Sequence, residues 1–314
     1  MKTLSIEACT RARDFINSKA RPLERAMFAF HFDGGAVDEV LTALAAFQNE
    51  DGGFGQALEP DLRTPTSSAL ATSEGLRILK GVDCPGSHPF VRKAVEYLLS
   101  TYDREKNVWR VVPQDTNDYP HAPWWHDEHG SLERVFDGFR IIPRAEIIGL
   151  LHHYTEQIPT DWLAEVTTRT VRDIATIERF GTGGGDDLVY AMHLLEAEAI
   201  PSDERTGLLA RLRTTVQQVV SQDSSDWDSY CISPLKVVNS PSSPVADLIW
   251  DAVQEHLDYQ IDHQSSEGAW DPVWSWGDFY PHVWPGACQE WQGRLTLETL
   301  ITLRAFNRLA EQSW

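Results

Sequence analysis

The chain has 314 residues, 42% of them hydrophobic, and a net charge of −20. It therefore carries enough apolar side chain for a sizeable core, and a charge that excludes nucleic acid and anionic membrane surfaces as partners. No stretch approaches about 18 consecutive apolar residues, so no transmembrane segment is expected. Met1 to Asn17 lacks the apolar run of a secretion signal. Cys9, Cys84, Cys231 and Cys288 are scattered without a C-x-x-C pair, the usage expected of reduced thiols in a cytoplasmic protein.

Residues 6–18 and 21–32 read as helices, the second with Pro22 near its start. Asp33-Gly34-Gly35 breaks the chain. Over 36–48, Ala36, Val37, Val40, Leu41, Leu44 and Phe47 recur at spacings of three and four, which predicts an amphipathic helix. Residues 67–81 and 88–101 repeat that pattern. Residues 103–142 are rich in Pro, Trp, His and Asp with little periodicity, and read as a long functional loop. Helical periodicity resumes at 143–156, 160–178, 186–198 and 203–221. Gly183-Gly184-Gly185 reads as a flexible connection, because it lacks the Lys-Ser/Thr of a phosphate loop and Asp186-Asp187 would repel phosphate. A Ser/Pro-rich segment at 232–244 leads to helices at 244–262 and 290–311, with an aromatic, irregular segment at 263–288 between them. Nothing reads as a sheet, so the fold class is all-α.

The densest signal is Gln48-Asn49-Glu50-Asp51-Gly52-Gly53-Phe54-Gly55, between two apolar helices. Weaker versions are His263-Gln264-Ser265-Ser266-Glu267-Gly268-Ala269-Trp270, Ser221-Gln222-Asp223-Ser224-Ser225-Asp226-Trp227 and Tyr102-Asp103-Arg104-Glu105-Lys106-Asn107-Val108-Trp109. Each has a helix, a polar turn and then an aromatic, the sign of a repeat architecture. The glycines supply φ > 0 for a tight reversal, Asp51 can hydrogen-bond its own turn, and Phe54 and Trp270 are expected to plug the gap between helical pairs.

The Gln-x-x-Asp-Gly-Gly-aromatic-Gly pattern, followed by Ser67-Ser68-Ala69-Leu70-Ala71-Thr72 opening a helix, resembles the QW repeat of squalene and hopene cyclases. The β subunits of protein prenyltransferases carry a similar unit. The match is good over 36–81 and fair over 244–310. The resemblance implies a single (α/α) toroid of about six helical hairpins over 1–314, with inner helices around a central cavity. It does not by itself imply terpene chemistry.

Four constellations are candidates for chemistry. Glu59-x-Asp61 follows the strongest turn. In squalene-hopene-type cyclases the protonating acid sits on an Asp-x-Asp-Asp segment in a similar setting; that full motif is absent here. An acid that protonates an alkene must be kept neutral by burial and a second carboxyl group, and the alternative is pairing of Glu59 with Arg63. Asp226 and Asp228 form a second acid pair that equally suits helix caps or sugar hydrolysis. Trp124-Trp125-His126-Asp127-Glu128-His129 holds two histidines but no accompanying Cys/His cluster. The prenyltransferase-type zinc set is not found either: Asp228-Ser229-Tyr230-Cys231 with His282 has the wrong spacing. No metal and no cofactor are expected. The fourth is the aromatic run Trp270, Trp274, Trp276, Phe279, Tyr280, Trp284 and Trp291. Such rings stabilise carbocations, stack sugars, or close a hydrophobic belt.

The leading expectation is a terpenoid-cyclase-like enzyme acting on a small hydrophobic isoprenoid or polyene by acid-initiated carbocation chemistry. Its catalytic acids would come from Asp61, Glu59, Asp226 and Asp228, and its binding wall from Trp124, Trp125, His126, Trp274, Trp276, Tyr280 and Trp284. A carbohydrate-active hydrolase or lyase with a Trp/carboxylate cleft, and a non-catalytic toroid that binds a hydrophobic ligand, are the alternatives.

Overall fold

The computed structural model describes residues 1–178, 180, 186–197 and 200–310, so the Gly183-Gly184-Gly185 run lies outside the described residues. The described residues hold thirteen α-helices. They are α1 (Ile6–Lys19), α2 (Pro22–Phe32), α3 (Val37–Leu44), α4 (Ala69–Gly81), α5 (Pro89–Thr101), α6 (Ser131–Val135) and α7 (Arg144–His153). After these come α8 (Thr160–Thr176), α9 (Asp186–Leu195), α10 (Ser202–Val219), α11 (Pro234–Val237), α12 (Trp250–Asp262) and α13 (Trp284–Ala305). Pairing of β type among them is confined to isolated bridges, so the all-α class holds.

Three helix ends differ from those the sequence predicts. The helix expected over 36–48 stops at Leu44 and tightens into a 3-10 turn, Ala45–Phe47. The helix expected from 244 starts only at Trp250, after a 3-10 turn at Ala246–Leu248. The last helix starts six residues early, at Trp284, with a proline in its first turn, where a missing N–H costs nothing.

The chain divides into two compact units, Ala46–Val219 and Met1–Ala45 with Val220–Trp314. In the middle unit α7 packs against α4, α8 and α9, and α10 covers α8 and α9. Every residue of α7 from Arg144 to Leu151 is buried. A helix apolar all round is a core helix, which makes its two charged members, Arg144 and Glu146, conspicuous. In the other unit α13 packs against α1 and α2, and α11 against α12.

The repeated turn has one geometry in both units. Asn49 N–H donates to the Gly53 carbonyl and Gly52 N–H to the Asn49 carbonyl, at 2.9 and 3.0 Å. Ser265 N–H to Ala269 and Gly268 N–H to Ser265 repeat this at 2.9 and 3.0 Å. Gln48 Nε2 donates to the Gly52 carbonyl at 2.9 Å and to Phe90, in the first turn of α5, at 3.0 Å. Gln264 Nε2 does the same to Gly268 at 3.0 Å and to Ala8, in the first turn of α1, at 2.9 Å. The aromatic N–H groups then meet a threonine: Phe54 to Thr72 Oγ1 on α4 at 3.0 Å, Trp270 to Thr296 Oγ1 on α13 at 3.2 Å. Each turn therefore clasps a helix pair, α4 with α5 and α13 with α1. The second pair is joined by hydrogen bonds, Leu4 N–H to the Arg308 carbonyl at 2.8 Å and Ala310 N–H to Leu4 at 3.0 Å.

The third turn is a longer relative. Asp103 N–H donates to Val108 at 2.9 Å, and Asn107, at φ +61°, stands where the others have glycine. Asparagine tolerates that region better than other side chains do. Trp109 is fully buried, its Nε1 donating to Leu98 at 2.7 Å. The fourth keeps only its aromatic: Trp227 Nε1 donates to the Ser221 carbonyl at 3.0 Å, while Ser221 N–H turns to Ile232 instead.

Gly52 and Gly268 sit at φ +89° and +97°, and a Cβ at either would run into the backbone of Lys93 or Arg11. Gly34 sits at φ +70° with open space around it. Gly34→Ala should therefore cost only the left-handed penalty, about 1–2 kcal/mol, and Gly52→Ala and Gly268→Ala distinctly more, measured by urea unfolding. Equal losses at all three positions would show that the clasp is not under close contact.

Candidate functional site

The segment that carries Glu59 and Asp61 is laid antiparallel to the segment that carries the histidines. Ala122 N–H donates to the Asp61 carbonyl at 2.8 Å and Arg63 N–H to Pro120 at 3.0 Å, with Leu62 opposite His121. Asn49 anchors the loop from the turn side, its Nδ2 donating to the Pro65 carbonyl and Ser67 Oγ, both at 2.9 Å. Glu59, Asp61, His121 and Trp125 are buried, His126 is half-buried and Trp124 is exposed. His121 Nδ1 lies 2.6 Å from the Tyr119 carbonyl, and its Nε2 lies 3.0 Å from His126 Nδ1. Burial pushes His121 below the usual histidine range. Thus Glu59, Asp61, Trp124, Trp125 and His126, distant in sequence, share one region of the middle unit.

The remaining sequence candidates lie in the other unit. Asp226 and Asp228 are exposed, the first accepting from Ser221 Oγ and the second from the Tyr259 hydroxyl, both at 2.5 Å. Trp276 is fully buried with its ring 5.6 Å from Trp284. Trp274 packs edge-on between Trp291, at 5.0 Å, and Tyr230, at 6.1 Å. The outer rings of that row carry cations: Lys236 Nζ stands 3.9 Å from the Tyr230 centroid and the Arg294 guanidinium 4.8 Å from that of Trp291. Tyr280 is half-buried at φ +44°.

A further constellation in the middle unit escaped the sequence reading. Glu146, buried on α7, points one oxygen at two partners. His193 Nδ1 of α9 lies 3.0 Å from Oε1 and Arg77 Nε of α4 lies 3.3 Å from the same atom. Burial works against ionisation of Glu146, yet the nearby His193 and Arg77 hold the carboxyl down to about 2. One turn before His193 is Tyr190, its ring centroid 6.1 Å from the imidazole. Burial first, then the charges of Glu146 and Asp186, raise the Tyr190 phenol well above its ordinary 10, so it remains a proton donor. His193 and Arg77 retain 27% and 39% side-chain exposure, so both can be reached from outside.

These side chains have complementary roles. A carboxylate close to Nδ1 can orient an imidazole and leave Nε2 to take or give a proton. A phenol on the same helix face supplies a second proton site, and a guanidinium balances the charge. The signal for this group was present but faint: Glu146 is the lone acid in the run Ala145-Glu146-Ile147-Ile148-Gly149-Leu150-Leu151, and Tyr190 and His193 stand three apart on a helix. No family model matches the chain, and no curated protein or solved structure matches it.

A carboxyl whose folded-state value is depressed stabilises the fold above its ordinary value of 4.5 and loses that contribution as pH falls towards 2. Glu146→Gln should cost about 1–3 kcal/mol at neutral pH, the scale for disturbing a buried hydrogen-bonded charge. The deficit should shrink as wild type is acidified from pH 4.5 to 2. Urea-derived stabilities of the two proteins that run parallel across this window would contradict the ionised assignment.

Proposed function

We propose that the chain is an acid–base enzyme of the carbohydrate-active class, a hydrolase or lyase, built on an (α/α) toroid. The observation that carries this reading is the buried Glu146 carboxylate within 3.0 Å of His193 Nδ1 and 3.3 Å of Arg77 Nε, with Tyr190 one turn away. His193 Nε2 is the proton-transferring atom, Glu146 its positioning residue, and the Tyr190 hydroxyl a donor to a leaving or incoming oxygen. Such a wall suits a hydroxyl-rich substrate. An apolar polyene laid against the part-exposed His193 and Arg77 side chains would strip their solvation without replacing it. The charge of −20 favours neutral glycans over polyanions.

The second reading, a terpenoid-cyclase-like enzyme, rests on a different observation. Two carboxyl residues, Glu59 and Asp61, are buried directly after the strongest repeat turn. In that case Asp61 is the proton donor and the substrate is an isoprenoid.

The two readings separate on a substrate panel with three variants. On neutral polysaccharides assayed for new chain ends, His193→Ala should lower kcat by at least about a hundredfold, and Tyr190→Phe by a lesser factor, the range for losing a general acid or base. Asp61→Asn should retain turnover. Cyclisation of a linear polyene, abolished by Asp61→Asn and kept by His193→Ala, would reverse the order of the readings.

A further inference from the structure

His121 and His126 meet in a way that fixes their protons. His121 is fully buried, and its Nδ1 lies 2.6 Å from the Tyr119 carbonyl. A carbonyl oxygen only accepts, so Nδ1 of His121 carries a proton. Burial disfavours a second proton on this ring, so its Nε2 is an acceptor. His126 Nδ1 lies 3.0 Å from that Nε2. The two ring planes differ by only 11°, and the centroids stand 5.3 Å apart while the nitrogens approach to 3.0 Å. The rings therefore meet edge to edge, in the geometry of an N–H···N hydrogen bond. His126 Nδ1 is the donor in that bond, which leaves the lone pair of the His126 ring on Nε2.

The backbone on both sides of this contact is held in place. His121 pairs with Leu62 in an isolated bridge. His126 N–H donates to the Pro123 carbonyl at 3.2 Å, and the His126 carbonyl accepts from Ser131 Oγ at 3.3 Å. The next residue, Asp127, exchanges two bonds with Asn117. Its N–H donates to Asn117 Oδ1 at 3.1 Å, and Asn117 Nδ2 donates to its carbonyl at 2.8 Å. The Asp127 carboxylate accepts from Arg110 Nη2 at 2.5 Å and from Leu132 N–H at 3.3 Å. An irregular segment is thus cross-linked around one histidine, which keeps part of its surface in solvent while His121 keeps none. An apolar ring at position 121 would fill the same space without burying polar nitrogens. An imidazole there does what an apolar ring cannot: it selects the tautomer of the neighbouring ring.

We propose that His126 is a general base for an O–H group of a ligand, with Nε2 as the proton-accepting atom and His121 as its positioning residue. The O–H bond breaks, its electron pair stays on oxygen, and the proton binds Nε2; nothing is oxidised or reduced. The imidazolium then donates from Nδ1 to His121 Nε2, a charge-assisted hydrogen bond stronger than the neutral one. The dyad therefore favours the protonated product. The step uses neither Glu146 nor His193, and it rests on neither reading of the substrate.

Two measurements on the full chain test this. With nitrogen-15 histidine, wild type should show a scalar coupling across the hydrogen bond from His126 Nδ1 to His121 Nε2, and Nδ1–H on both neutral rings. In His121→Phe the coupling should vanish and His126 become a mixture of tautomers. Diethyl pyrocarbonate acylates a neutral imidazole nitrogen that it can reach. Peptide mapping by mass spectrometry should then find His126 labelled in the folded wild type and His121 unlabelled. Both wild-type readings stand even if His121→Phe does not fold. Absence of the coupling, or a His126 ring with its proton on Nε2, overturns the dyad. A His126 that stays unlabelled in the folded protein overturns the base, because the pair is then a buried structural contact.

Discussion

The structure depends on one local device, a glutamine amide that holds its own turn and the neighbouring helix together. Nε2 of Gln48 and of Gln264 has two N–H groups, and each spends one on the turn carbonyl four residues on and one on the first turn of a packed helix. The carbonyls of a helix's first turn already accept intrahelical bonds but keep a second lone pair. The amide uses that lone pair, so a polar loop is sealed against a helix without breaking its ladder. The glycine at φ > 0 lets the backbone come close enough, and the aromatic that follows fills the space the reversal opens. With α5 and α1 held in this way, α4 and α13 take their places through Thr72 and Thr296.

The same packing dictates where charge can be. Because α7 is enclosed by α4, α8 and α9, its Glu146 is buried and must find partners on those helices. Arg77 reaches it from α4 and His193 from α9. A buried charge pair is weak as a source of stability and costly when broken. Holding a carboxylate ionised beside an imidazole has a clearer use in chemistry, where a fixed ring nitrogen needs no reorganisation as a proton moves.

Much of the fold was legible in the sequence, because its signals are local. The three-and-four spacing of Val37, Val40, Leu41 and Leu44, Pro at helix starts and the Gln-to-Gly spacing of four all act within a few residues. The start of α13 was hidden because Trp284 lies in a stretch so rich in aromatics that it read as loop. The site was less legible. The sequence pointed to Glu59, Asp61 and His126, which the fold does bring into one region. It gave little sign of Glu146, because an acid in an apolar run has no meaning until the helices around it are known. Arg77, Glu146 and His193 come from three separate helices, and only tertiary packing joins them.

The proposed chemistry requires that Glu146 fix the His193 ring. Nitrogen-15 chemical shifts of the imidazole, recorded for wild type and Glu146→Gln at a pH where His193 is neutral, report this directly. With the Glu146 carboxylate 3.0 Å from Nδ1, the proposed pairing places the proton on Nδ1. Wild type should therefore show a single tautomer with Nδ1–H, and the variant a mixture. A wild-type ring already protonated on Nε2, or one that the substitution leaves unchanged, would contradict the assignment of His193 and Glu146 as a working pair.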